Sequence, residues 1–229
     1  MDKYFDEGLK SVKENILQMA TMVEDSIIKV VGALKTVDVE KAKTIREIDR
    51  QIDKMEIALE EQCIELIARH QPVGADLRFL IGVIKMNNDM ERMGDHAVNI
   101  SDCINSLAGQ PNISSISTIW SMADAAIKML KESVDSFVTN DPVKAQKVCE
   151  QDDIVDEMKN DTIRLLLSRM IEEPKKIGAA TQYALVARNL ERIADLATNI
   201  SEDVIYIAQA RVIKHHAEEV LKDESKISN

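Results

Sequence analysis

Eight carboxylates in this sequence recur as two sets of four. Asp49 and Asp53 precede Glu91 and Asp95, and Asp152 and Asp156 precede Glu191 and Asp195, so each set is an Asp-x3-Asp pair followed by a Glu-x3-Asp pair. A spacing of four puts both members of a pair on one helix face, one turn apart. Clusters that offer only oxygen ligands suit hard cations such as Mg²⁺, Mn²⁺, Ca²⁺ or oxidised iron. The spacing alone is common: 40 acidic residues among 229 give on the order of seven such pairs by chance.

The surroundings of the pairs are also repeated, and this is far less common. Asn88 to Asp102 aligns without a gap on Arg188 to Glu202, and seven of fifteen positions are identical, where chance gives roughly one. The shared residues are Glu91/Glu191, Arg92/Arg192, Asp95/Asp195, Ala97/Ala197, Asn99/Asn199, Ile100/Ile200 and Ser101/Ser201. Packing alone would preserve the apolar period, yet polar residues are kept as well.

The elements that must position these carboxylates are helices. Leu, Ile, Met, Ala, Glu and Lys dominate, and four prolines punctuate the chain. Pro72, Pro142 and Pro174 suit first turns of helices, Asp141 is a ready N-cap, and Val37-Asp38 marks a further break. The sequence predicts helices over about 3–36, 39–69, 72–108, 115–139, 142–172 and 174–213. Apolar stripes step by three and four through Ile16 to Leu34, Met86 to Leu107 and Val186 to Ile207. Long helices joined by short turns pack antiparallel, so the expected fold is all-α, two tandem three-helix bundles related by internal duplication. The expected division is an N-terminal repeat over 1–109 and a C-terminal repeat with a polar tail over 110–229.

Counting outward from the hairpin turns places the acids at matched heights. From Gln71, Asp53 and Glu91 are 18 and 20 residues away, and Asp49 and Asp95 are 22 and 24. From Glu173, Asp156 and Glu191 are 17 and 18 away, and Asp152 and Asp195 are 21 and 22. Each set of four therefore meets at one level, roughly 30 Å from its turn. At about 100° per residue the acids fall away from the apolar stripes, on the bundle surface. Solvated surface acids are the bland alternative, and Arg92 and Arg192 could neutralise them instead of a metal.

Other residues carry less. His96 beside Asp95 has no counterpart, because Leu196 stands in the second copy. Gly94 in mid-helix is either a close helix approach or a tolerated defect. Trp120 and the three cysteines, Cys63, Cys103 and Cys149, read as core residues, and His215-His216 point about 100° apart. A net charge of −11 argues against direct nucleic-acid binding. The uncharged run Cys103 to Ala123 holds five Ser, Gly109 and Pro111, which makes it a linker and not a membrane span. No signal peptide follows Met1, so a cytoplasmic protein is expected. No Glu-x-x-His, Gly-rich phosphate loop, Gly-x-Ser-x-Gly or His-Glu-x-x-His motif is present, and no enzymatic activity is expected.

The duplicated Glu-Arg-x-(Gly/Ala)-Asp-x-Ala-x-Asn-Ile pattern resembles the PhoU family of phosphate transport regulators. So do Arg69-His-Gln-Pro-Val-Gly-Ala-Asp76-Leu-Arg78, leading into the third helix, and Ala187-Arg-Asn-Leu-Glu191-Arg192, leading into the sixth. The resemblance covers about residues 5 to 210. It implies two three-helix repeats and surface metal clusters of iron, manganese, magnesium or zinc. The implied ligands are Asp49, Asp53, Glu91 and Asp95, and again Asp152, Asp156, Glu191 and Asp195. The family commonly has Gly-Asp-His in both copies, whereas the second copy here is Ala194-Asp195-Leu196. The resemblance further implies a homodimeric negative regulator of phosphate-starvation signalling. Such a protein links the ATPase subunit of the phosphate ABC transporter to a sensor histidine kinase. A metal-free helical scaffold and a metal-dependent helical-bundle enzyme are the alternatives.

Overall fold

The computed structural model describes residues 3–113 and 116–211; His215-His216 and the expected end of the last helix at 213 lie outside the described residues. The first three helices are α1 (Lys3–Thr36), α2 (Val39–His70) and α3 (Ala75–Leu107). After the linker come α4 (Ser117–Thr139), α5 (Pro142–Cys149), α6 (Asp152–Glu172), a short 3₁₀ turn at Pro174–Lys176 and α7 (Ile177–Gln209). The architecture is the expected one: helices only among the described residues, in two three-helix repeats, with α5 and α6 together taking the place of α2.

Three boundaries differ from expectation, one of them at Pro174, where a 3₁₀ turn precedes the helix that starts at Ile177. Pro72 lies outside the helix it was expected to start. Gln71 closes α2 in the left-handed conformation (φ 48°), and Gly74 at φ 63° precedes the first turn of α3. The positive φ at Gly74 favours glycine, so the turn uses it where the helix would otherwise begin at the proline. The helix expected over 142–172 is broken after Cys149. Gln151 donates through Nε2 to the Lys147 carbonyl at 3.1 Å and to Glu132 Oε2 at 2.9 Å. Its own backbone N–H turns to Val148 O, one residue short of the α-helical partner. A side-chain amide thus satisfies a carbonyl that the break leaves open.

Caps match their residues. Asp38 accepts from the Lys41 amide at 3.0 Å, and Asp141 accepts from the amides of Val143 and Lys144 at 2.9 and 3.0 Å. The stripe Met86, Met90, Met93, Ala97, Ile100, Ile104 and Leu107 is buried throughout, as are Val186, Leu190, Ile193, Ala197, Ile200 and Val204 of α7. These two stripes belong to one hydrophobic cluster that runs through both repeats. Helices α3 and α7 form its central antiparallel pair: Lys85 reaches Asp203 at 2.7 Å, and further along α3 His96 reaches Asn189 at 2.9 Å. Cys63 and Cys103 are buried and Cys149 is partly so. Trp120 packs at the core's margin.

Candidate metal centre

The first cluster forms between α2 and α3. Asn87, 1% exposed, donates to the backbone carbonyl of Glu56 at 2.8 Å and so pins the two helices together beside the acids. Gly94 permits the approach. A Cβ there would stand 3.0 Å from Asp49 Oδ1 and 3.3 Å from Ile52 Cδ1. The close-approach reading of this glycine is therefore the correct one.

Asp49, Asp53, Glu91 and Asp95 come together as the turn counts required, and Glu56 joins them. They are not simply spread over an outer face: Asp49, Asp53, Glu56 and Glu91 are each partly covered by the neighbouring helix, and Asp95 is the exposed member. Burial, then the charges of Asp95, Asp53, Glu56 and Asp49, push Glu91 up to about 7. Burial, then Asp53 and Asp95, push Asp49 up to about 6, against the pull of Arg46. Arg46 itself is turned to Asp102, holding both carboxylate oxygens at 2.6 and 2.7 Å. Asp49 Oδ1 is buried with no hydrogen-bond partner.

Arg92 does not neutralise this cluster. It donates to Asp89 Oδ1 at 3.2 Å, on the side of α3 that faces α7. In the second copy position 189 is Asn, and Arg192 turns the other way, to Asp195 Oδ2 at 2.9 Å and towards Glu191 Oε2 at 3.6 Å. One substitution two residues before the Glu-x3-Asp pairs, Asp89 to Asn189, thus goes with the direction each arginine takes.

Asp152, Asp156, Glu191 and Asp195 are also brought together, between α6 and α7, but with a cation of the chain seated between two of them. Lys159 Nζ lies 2.7 Å from Asp156 Oδ1 and 2.9 Å from Glu191 Oε1. Thr198 donates to Asp152 Oδ1 at 3.3 Å. Burial, then Glu191 and Asp152, push Asp195 up to about 6, opposed by Arg192. Burial also raises Asp152, with the Thr198 hydroxyl opposing. Sequence reasoning missed Glu56, Lys159 and Thr198. Glu56 and Lys159 fall three residues after Asp53 and Asp156, on the face the helical period assigns to the acids, so extending each motif by one turn would have found them.

The first set offers the oxygen donors that a hard cation takes. Five carboxylates face one another, one of their oxygens is buried and unsatisfied, and a glycine leaves the space it occupies. Among the described residues, no three His, Cys, Asp or Glu side chains converge closely enough to hold one ion as they stand. Carboxylates without a cation between them repel and spread. His96 is held in the α3/α7 seam by Asn189 and turns away from the acids.

The PhoU domain model matches residues 16–104 and 119–204, once in each repeat. The chain belongs to the PhoU domain family. It is 38% identical over 213 residues to the phosphate-specific transport system accessory protein PhoU homolog of Aquifex aeolicus, covering 93% of this chain and 96% of that one. A homolog of the same name from Clostridium acetobutylicum is 35% identical over 212 residues, with 92% and 97% covered. The crystal structure of PhoU from Pseudomonas aeruginosa superposes with a TM-score of 0.86 at 33% identity, covering 90% of this chain and all of that one. The phosphate transport system regulatory protein PhoU from Streptococcus pneumoniae gives 0.86 at 27% identity, with 92% and 100% covered. PhoU family proteins are regulatory accessory proteins of phosphate transport, not enzymes. No helix among the described residues is long and apolar enough to cross a membrane.

Proposed function

We propose that this chain is a metal-binding PhoU regulator that acts as a cytoplasmic, homodimeric adaptor. In phosphate excess it contacts the ATPase subunit of the phosphate ABC transporter and a sensor histidine kinase, and it represses phosphate-starvation signalling. The accessory role comes from the relatives named for the phosphate-specific transport system. The metal role rests on one observation above all, the buried and unsatisfied Asp49 Oδ1 inside a group of five carboxylates.

Asp49, Asp53, Glu91 and Asp95 would hold the cation, with Glu56 beside them. A hard divalent or trivalent ion supplies positive charge that offsets their mutual repulsion and ties α2 to α3. The resemblance extends the same role to Asp152, Asp156, Glu191 and Asp195. There the side chains are already engaged by Lys159, Arg192 and Thr198.

Two measurements test the reading. Protein purified without chelator is expected to contain metal by elemental analysis, and to lose it when Asp49, Asp53, Glu91 and Asp95 are replaced by Ala. Unchanged metal content in that variant overturns the ligand assignment. A pull-down from cells grown in phosphate excess is expected to retain the transporter ATPase and the sensor kinase. Retention of neither overturns the adaptor role.

A further inference from the structure

The two clusters align residue for residue on their first helices, and the alignment brings Glu56 opposite Lys159. Lys159 is only 21% exposed, and it bridges a carboxylate of α6 to one of α7. An ammonium held between two carboxylates of different helices supplies the charge that a shared metal ion would supply, and it fills the space between them. The other two acids of this set also have partners from the chain: Arg192 holds Asp195 at 2.9 Å, and the Thr198 hydroxyl bonds Asp152 at 3.3 Å. Asp152 stands in the first turn of α6, where the helix's partial positive charge favours an anion. In the first repeat none of these devices is present. Position 56 is acidic, position 98 is Val where position 198 is Thr, and Arg92 faces Asp89. Asp49 lies well inside α2, and its Oδ1 is buried without a donor.

We infer that Lys159 is a built-in counter-ion that closes the second cluster to metal, so that metal in this chain is confined to the first repeat. The inference rests on the metal reading of the first cluster. The duplicated motif has divergent uses: one copy is an open ligand set, and the other an ionic clasp between α6 and α7 that needs no added ion.

Equilibrium dialysis of the full chain against Mn²⁺, followed by elemental analysis, tests this. Asp49→Asn with Asp53→Asn is expected to bring bound Mn²⁺ to background, whereas Asp152→Asn with Asp156→Asn leaves the wild-type amount unchanged. Adding Lys159→Glu to the first-cluster variant swings the local charge by two units. It is expected to raise bound Mn²⁺ at least about tenfold above background. Lys159→Gln removes the ammonium while keeping the side chain's bulk, and it should give a smaller gain in the same direction; circular dichroism checks that both variants are folded. Loss of Mn²⁺ on replacing Asp152 and Asp156, or no gain from either Lys159 variant, overturns the inference. If the wild-type chain takes up no Mn²⁺, the metal reading of the first cluster falls by itself. The role of Lys159 is then decided by whether Lys159→Glu alone gains the ion.

Discussion

Glu91 and Asp49 show how a few ångströms of burial change what a carboxylate does. Both lie on helix faces that periodicity assigns to solvent, yet the neighbouring helix covers them enough to raise Glu91 to about 7 and Asp49 to about 6. A carboxyl whose folded-state value exceeds its unfolded value binds a proton more tightly in the folded chain. Its contribution to stability is complete below the unfolded values of 4.5 and 3.8 and is lost as pH rises through the folded ones. Both groups are partly exposed, so solvent screening limits the combined effect to about 1–2 kcal/mol. Chelator-treated protein should therefore lose urea resistance as pH rises from about 4 to about 7, and Glu91→Gln should flatten about half of that slope. An unchanged slope in Glu91→Gln would show that the destabilisation has another source.

At the scale of the element, the break between α5 and α6 sets the geometry of the second cluster. It places Asp152 at a helix start, whereas its counterpart Asp49 lies inside a continuous α2. The break is held by Gln151, whose amide serves the Lys147 carbonyl and the Glu132 carboxylate at once. Gln151→Ala removes both bonds and should cost about 1–2 kcal/mol in urea unfolding. A stability equal to wild type would mean that water or the backbone takes over both roles. From Asp53 to Glu91 the chain runs 38 residues and from Asp156 to Glu191 only 35, and the hairpin turns absorb the difference. The turn from α2 to α3 runs through Gln71 and Gly74, whereas α6 passes to α7 through the 3₁₀ turn at Pro174–Lys176.

On the scale of the whole molecule, the two repeats are not independent bundles. Their apolar stripes meet in one core, and α3 and α7 are joined by Lys85–Asp203 at 2.7 Å and His96–Asn189 at 2.9 Å. Asp203 is 8% exposed, so removing its lysine leaves a charge that water reaches poorly. Lys85→Ala should destabilise the chain by about 1–3 kcal/mol. Because the core is continuous, wild type and variant should each unfold in a single calorimetric transition. Two separated transitions would show that each repeat folds on its own.

The sequence by itself determined the helical class, the pairing into two repeats and the heights at which the acids meet, but not the break after Cys149. Those follow from a period of 3.6 and from counting along antiparallel hairpins, which depend only on local geometry. The Glu91 and Glu191 motifs were legible because they recur together with their flanking polar residues. What the sequence alone did not decide is where each side chain turns. Arg92 and Arg192 are the same residue in the same motif, and they point to opposite sides because Asp89 is Asn189 in the other copy. The Asp49, Asp53, Glu91 and Asp95 cluster and the Asp152, Asp156, Glu191 and Asp195 cluster read as two copies of one motif, the second departing at Ala194 and Leu196, and only packing showed Lys159 seated between two of the second set's carboxylates. Such differences come from contacts between helices far apart in the chain, where a short side-chain reach and the charge of the nearest neighbour outweigh any pattern along one helix.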